Sequence, residues 1–358
     1  MQSTTSNKKK IVFDRFTFFL EILIVFFGLF LFLLIPRLLL PLILTENSLY
    51  YGIIYYVLRV CGIIIAIPLF LYLSNLLFDT QKQQLILEDD ISPSLKHLQL
   101  FKIKKTNLKY QLLYGLLLFF IIFLPLDFFT YLLEPKILEF VAVSLSSNLT
   151  DSYLKAGYLT FLFSVLIIQF AVSFYEETLV RGFLTNRGSQ FFNRYSAVLI
   201  ASFYFGLMHF AYYLNPLSRQ YPVWFPFIWF LQTFFVGIIL SMFIVNKRWL
   251  FPVIIGHTLN NVISAHAVWA YLQGIDFSNI AIVLYLPLLC ISCILFIWQF
   301  SRIKRALAKG LNQLGSYFKK QKLSDQEQKE SNSEQILRLG VDLLLGLLIF
   351  FIGLTMGI

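Results

Sequence analysis

Long apolar runs separated by short polar and basic breaks organise this chain. A helix needs about twenty predominantly apolar residues to cross the hydrocarbon core of a bilayer. The pattern therefore predicts an all-α polytopic membrane bundle of about nine spans, over 16–36, 50–78, 110–134, 157–184, 196–214, 225–245, 250–271, 279–300 and 336–358. The polar start, Met1 to Arg15, leads into an apolar run too long for a signal-peptide core, with no small-residue cleavage site after it. It reads as a retained first span. The breaks divide the chain into an N-terminal membrane region of three spans and a loop (1–156), a core (157–300), a basic and polar cytoplasmic linker (301–335) and a last span (336–358).

Charge orients the bundle. With the N-terminus in the cytoplasm, 23 Lys and Arg fall on the inner side and only Arg37, Lys136, Lys155 and Arg219 on the outer. Cytoplasmic loops carry the excess of basic residues, so the N-terminus is expected inside. The same placement removes nucleic acid as the explanation for a net charge of +10. Content that is 58% hydrophobic and 18% aromatic excludes a pair of soluble domains. Cys290 and Cys293 have redox or zinc spacing but no second pair and no polar setting, so they read as small apolar residues one turn apart.

Several polar stretches have plain expectations. The segment 79–109 is a polar loop with an acidic knot, Glu88, Asp89 and Asp90. Arg302 to Lys322 predicts a basic amphipathic helix on an anionic lipid surface, and Ser324 to Glu334 a flexible linker. Arg59 and Asp127 fall at similar depths and are candidates for a structural pair, while Arg59 could equally snorkel to the headgroups. Glu21 and Asp342 need only reach water.

One run departs from the rule that spans avoid charge. Ala171-Val-Ser-Phe-Tyr-Glu176-Glu177-Thr-Leu-Val-Arg181-Gly-Phe-Leu184 continues the apolar stretch that begins at Tyr158. Each charge at the centre of a spanning helix costs roughly 2.5–3.5 kcal/mol on insertion scales, so three close together need a reason. Glu177 and Arg181 are four apart and share a face, which lets them pair. Glu176 lies about 100° further round, free for chemistry. Two more spans carry polar groups, at Phe205-Gly-Leu-Met-His209 and at His257-Thr-Leu-Asn-Asn261. At 1.5 Å per residue, Glu176, His209, His257 and Asn261 come roughly 16, 20, 12 and 18 Å from the cytoplasmic ends of their helices. Four polar groups on three helices thus occupy one slab.

A carboxylate and a neutral histidine can hold and deprotonate a water. A second histidine and an amide can donate to the oxyanion that forms when that water attacks a carbonyl. Ser173 is a one-turn neighbour of Glu176, which is commonplace on helices. Zinc held by Glu176, His209 and His257 is the alternative, although no His-Glu-x-x-His pattern is present and Asn261 is a poor zinc ligand. A transporter or scaffold with a Glu/His proton relay is another, although no inverted repeat is evident.

Glu176-Glu177-x-x-x-Arg181, then Phe205-x-x-x-His209, then His257-x-x-x-Asn261, in that order on successive spans, resembles the CPBP family of intramembrane proteases. That family includes the CAAX prenyl endopeptidase, bacteriocin self-immunity proteins and the lysostaphin-resistance protein. The resemblance covers 176–261 and implies a glutamate-dependent endopeptidase with no metal or other cofactor. It implies Glu176 as base, His209 as its helper in activating water, His257 and Asn261 as the oxyanion hole, and Glu177 with Arg181 as a brace. The partners implied are a membrane-associated or lipidated protein or peptide and the lipid bilayer. A multi-pass protein of a bacterial inner membrane is the expected setting. Reporter fusions at residues 95 and 145 should read opposite sides of the membrane; the same side for both would overturn the nine-span topology.

Overall fold

A computed structural model describes residues 2–46, 48–78, 92–146, 148–210, 224–321 and 329–358. The elements are α1 (Gln2–Ile43), α2 (Leu49–Phe78), α3 (Pro93–Leu98), α4 (Lys105–Leu133), α5 (Lys136–Ser146) and a 3-10 segment, Leu149–Lys155. They continue with α6 (Tyr158–Phe191), α7 (Arg194–Phe210), α8 (Phe225–Lys247), α9 (Phe251–Leu272), α10 (Phe277–Tyr317) and α11 (Asn332–Met356). Local signals explain several ends. Ser331 and Glu334 close a capping box at the start of α11, and Gly357, at φ 67°, ends it in the left-handed conformation that glycine adopts freely. Ser92 caps α3 ahead of Pro93. The end of the bundle where α1 begins is its N-terminal end, and the opposite end is the far end.

The protein is a multi-pass, all-α membrane bundle. Among the described residues seven helices are long and apolar enough to cross a bilayer: α1, α2, α4, α6, α8, α10 and α11. Seven of the roughly nine expected spans thus meet the length and apolarity required, among the described residues. The other two, α7 and α9, stand in the same bundle. The described part of α7 has only 17 residues, and α9 carries His257, Asn260, Asn261 and His266 among its apolar positions.

The two larger of three hydrophobic clusters among the described residues meet at α6. Phe161, Val165 and Ile168 belong to a cluster with α4, α5, α8, α9 and the start of α10. From two to about four turns later, Tyr175, Leu179, Val180, Phe183 and Leu184 belong to a second cluster with α1, α2, α7 and α11. The charged residues of α6 fall at this seam. Close helix contacts flank it: a Cβ on Gly115 of α4 would lie 2.9 Å from Ile255, and one on Gly256 of α9 would lie 3.1 Å from the Gly115 carbonyl. Small residues let the backbones of α4 and α9 approach directly beside His257.

The bland readings of the other buried charges are corrected. Glu21 does not reach water; it is buried and accepts from Arg187 Nε and Nη2 at 2.7 and 2.8 Å. Asp342 is buried and accepts from Arg15 Nε and from Tyr317 Oη, both at 2.9 Å. Arg59 and Asp127 do not pair. Arg59 lies over the Tyr175 ring at 4.2 Å, while Asp127 accepts from Tyr285 Oη at 2.5 Å. Within 301–335, the basic helix is the continuation of α10, and its end packs Leu314 and Tyr317 against residues of α7 and α8. Part of the expected flexible linker is ordered: Glu330 is buried against Arg338 at 2.8 Å. The acidic knot at 88–90 lies outside the described residues. The rest of the expected 79–109 loop is more than a loop, because α3 folds back onto the end of α6.

That contact concerns the winding of α6, which widens to a π-helix over Thr178–Thr185. A π turn displaces carbonyls from the regular ladder, and such carbonyls need donors. His97 of α3 is buried, with Nδ1 3.2 Å from the Gly182 carbonyl. Burial pushes its imidazole down to about 4 from 6.5. The fold therefore favours neutral His97, and the stability this represents is complete above pH 6.5 and is lost as pH falls toward 4. A shift of this size corresponds to about 3 kcal/mol. The detergent melting temperature should fall between pH 6.5 and 4, and His97→Gln should flatten that fall. An unchanged pH slope in the variant would remove His97 from the account.

Candidate active site

Glu176 and Glu177 are adjacent in sequence and have opposite surroundings. The Glu177 side chain is fully buried; that of Glu176 is 34% exposed. Glu177 Oε1 accepts from Arg181 Nη1 at 3.1 Å, one helical turn away, and lies 2.7 Å from His257 Nδ1. A carboxylate only accepts, so His257 must carry a proton on Nδ1. Its other nitrogen, Nε2, is then turned to the second acid, 3.7 Å from Glu176 Oε2. Arg181 is fully buried, with its guanidinium carbon 4.0 Å above the Phe205 ring. Its Nε and Nη2 have no hydrogen-bond partner among the described residues. The ring face takes the place of an acceptor for part of that charge.

His209 stands near the end of the described part of α7, on the same ring system. Its Nδ1 lies 2.9 Å from the Phe205 carbonyl, which fixes the proton on that nitrogen. Its ring meets Phe205 edge-on at 4.6 Å and Trp229 at 5.9 Å. Phe205 thus touches Arg181 with its face and meets both histidines edge to face. On α9, Asn261 Nδ2 donates to Ser173 Oγ at 3.4 Å.

Glu176, His209, His257 and Asn261 line one cavity of about 320 Å³. Of the six residues singled out by sequence, these four meet there, while Glu177 and Arg181 lie behind its wall. The cavity continues past Asn260, Ser264 and Val268 of α9, Asp127 and Tyr131 of α4 and Gln232 and Trp229 of α8, toward the far end. No described residue nearer the N-terminal end of the bundle than Glu176 on α6 or His257 on α9 lines it. Among the described residues, no group of three or more His, Cys, Asp or Glu is arranged to hold one metal ion.

Sequence reasoning missed part of this wall. Phe123, in the π turn of α4, stacks on His257 with centroids 5.5 Å apart and planes 15° from parallel. As one phenylalanine in an apolar run it carries no signal. Ser173, an ordinary one-turn neighbour by sequence, holds Asn261. Asp127 is visible in the sequence as an intramembrane acid, but its place in this cavity is not.

Residues 158–263 match the family described as type II CAAX prenyl endopeptidase Rce1-like. The chain carries a CAAX-protease-like domain over these residues and is a membrane endopeptidase. The match spans a little under a third of the 358 residues and contains all six positions. Neither a curated protein nor a solved structure matches the chain.

The two acids of the endopeptidase should separate in stability. Glu177→Gln strands buried Arg181, and removing one partner of a buried pair costs roughly 3–5 kcal/mol. Glu176→Gln, at the cavity surface, should leave the detergent melting temperature nearly unchanged. Equal losses for the two variants would contradict the division of roles.

Proposed function

We propose that this endopeptidase hydrolyses a peptide bond of a membrane-associated or lipidated protein or peptide, with water activated by Glu176 and no metal. The observation that carries this reading is that Glu176 is the acid at the cavity surface, while Glu177 is consumed by Arg181 and His257. A water in contact with both Glu176 Oε2 and His257 Nε2 fits their 3.7 Å separation. Glu176 takes a proton from that water as its oxygen bonds to the scissile carbonyl carbon. His209 has Nδ1 committed to Phe205, so Nε2 is its acceptor and assists in holding the water.

The oxyanion needs donors. His257 is assigned as one of them through Nε2, with the ring held in place by the contact of Nδ1 with Glu177. Asn261 Nδ2, now on Ser173, supplies the second. As the tetrahedral intermediate collapses, the C–N bond breaks and Glu176 returns its proton to the leaving amine. Glu177 and Arg181 brace the helix and set the His257 tautomer. The basic breaks support a cytoplasmic N-terminal end; the proposed setting is a bacterial inner membrane.

Glu176→Gln and His209→Ala should abolish cleavage of an identified substrate, and His257→Ala should lower turnover about 10²–10³-fold, the usual loss for one oxyanion donor. Metal analysis should find no stoichiometric zinc in wild type or His257→Ala, and strong chelators should leave the wild type active. One zinc per chain, lost together with activity in His257→Ala, would replace this mechanism with a zinc-dependent one.

A further inference from the structure

The outer chamber of the cavity has a chemistry of its own. Three carboxylates line the cavity, Glu176, Asp127 and Asp151, and no Lys or Arg is among its described lining residues. Asp127 accepts from two hydroxyls: Tyr285 Oη at 2.5 Å and Ser264, whose Oγ is in turn 2.9 Å from Tyr131 Oη. Farther out, Asp151 accepts from Asn148 and from Tyr56 at 3.1 and 3.3 Å. Burial pushes its carboxyl up to about 6. The chamber therefore presents acceptors and negative charge to whatever fills it. Asp151 is buried, Asp127 partly so, and carboxylates taken out of water are normally paired with a cation; the described lining supplies none.

We propose that this chamber is a subsite for a lysine or arginine side chain of the peptide substrate, with Asp127 as its counter-charge. The assignment rests on the reading of Glu176 as the base at the inner end of the same cavity. Asp127 is one helical turn, about 5–6 Å, beyond Phe123, which stacks on His257. An extended peptide advances about 3.3 Å per residue. The cationic residue is thus one or two positions from the scissile bond, on the side directed toward the far end. A lysine reaches the carboxylate with its four-carbon stem along Tyr131 and Leu126 and its ammonium at Asp127.

The test is binding, measured on full-length Glu176→Gln protein in neutral detergent so that the peptide survives. The probes are fluorescent apolar dodecapeptides carrying a single lysine, moved one position at a time, each with a norleucine counterpart. At least one lysine peptide should bind about tenfold or more tighter than its counterpart by fluorescence polarisation. That advantage should vanish in Glu176→Gln/Asp127→Asn and return in Glu176→Gln/Asp127→Glu. A Ser264→Cys reporter gives a second measurement with Asp127 intact: the lysine peptide should protect the thiol from maleimide and the norleucine peptide should not. No lysine advantage at any position, an advantage that persists in Asp127→Asn, or no selective protection would each overturn the subsite. A wild type that binds the lysine peptide selectively but cannot cut it would instead sink the Glu176 mechanism and leave the subsite standing. Cleavage without lysine preference would do the reverse.

Discussion

A single buried carboxylate sets the arrangement on which the site depends. Glu177 has no exposure and two cationic or proton-donating neighbours, Arg181 one turn further along α6 and His257 on α9. Without Arg181 the acid would sit uncompensated in low dielectric; without the acid, Arg181 would have only the face of Phe205. Because His257 must donate to Glu177, its orientation and its tautomer follow from the pair. Glu176 is left facing the cavity because its neighbour in sequence is held the other way. Both acids thus act through one helix, at the seam between the two hydrophobic clusters.

The winding of α6 makes that seam possible. The helix changes to a π conformation straight after Glu177, and every residue from Glu177 to Thr185 is buried. Displaced carbonyls there are met by His97 from α3 and by Thr185, whose hydroxyl donates to the Val180 carbonyl at 3.0 Å. The wider turn therefore survives because side chains outside the regular ladder satisfy it. On the other wall, glycines at 115 and 256 bring α4 and α9 close enough for Phe123 to lie flat on His257.

Much of the fold was legible from hydropathy, since a bilayer imposes a length and an apolar composition on anything that crosses it. The charged run on α6 and the polar pairs on α7 and α9 were legible for the same reason: an apolar medium makes every polar residue conspicuous. Apart from the Glu177–Arg181 pair, how the charges are partnered was not legible. Glu21, Asp342, Arg15 and Arg187 sit near the ends of the expected spans, where sequence cannot separate a side chain that reaches water from one that reaches another helix. Depth alone pairs Asp127 with Arg59, but depth says nothing about azimuth, and the two face different neighbours. The π turns and the stacking of Phe123 left no trace, because they depend on backbone geometry and on an apolar residue among many.

The tie between Arg15 and Asp342 joins residues 327 positions apart in the chain. It has a consequence for biogenesis. Helix α1 is made long before α11, and its buried arginine lacks the Asp342 carboxylate until α11 has left the ribosome. Throughout synthesis that cation must stay hydrated or near headgroups, which holds the start of α1 at the membrane surface. The last helix then closes the bundle by giving the first one its counter-ion. The order of translation thus becomes an order of assembly, and the packing of α7 against α11 is completed only in that final step.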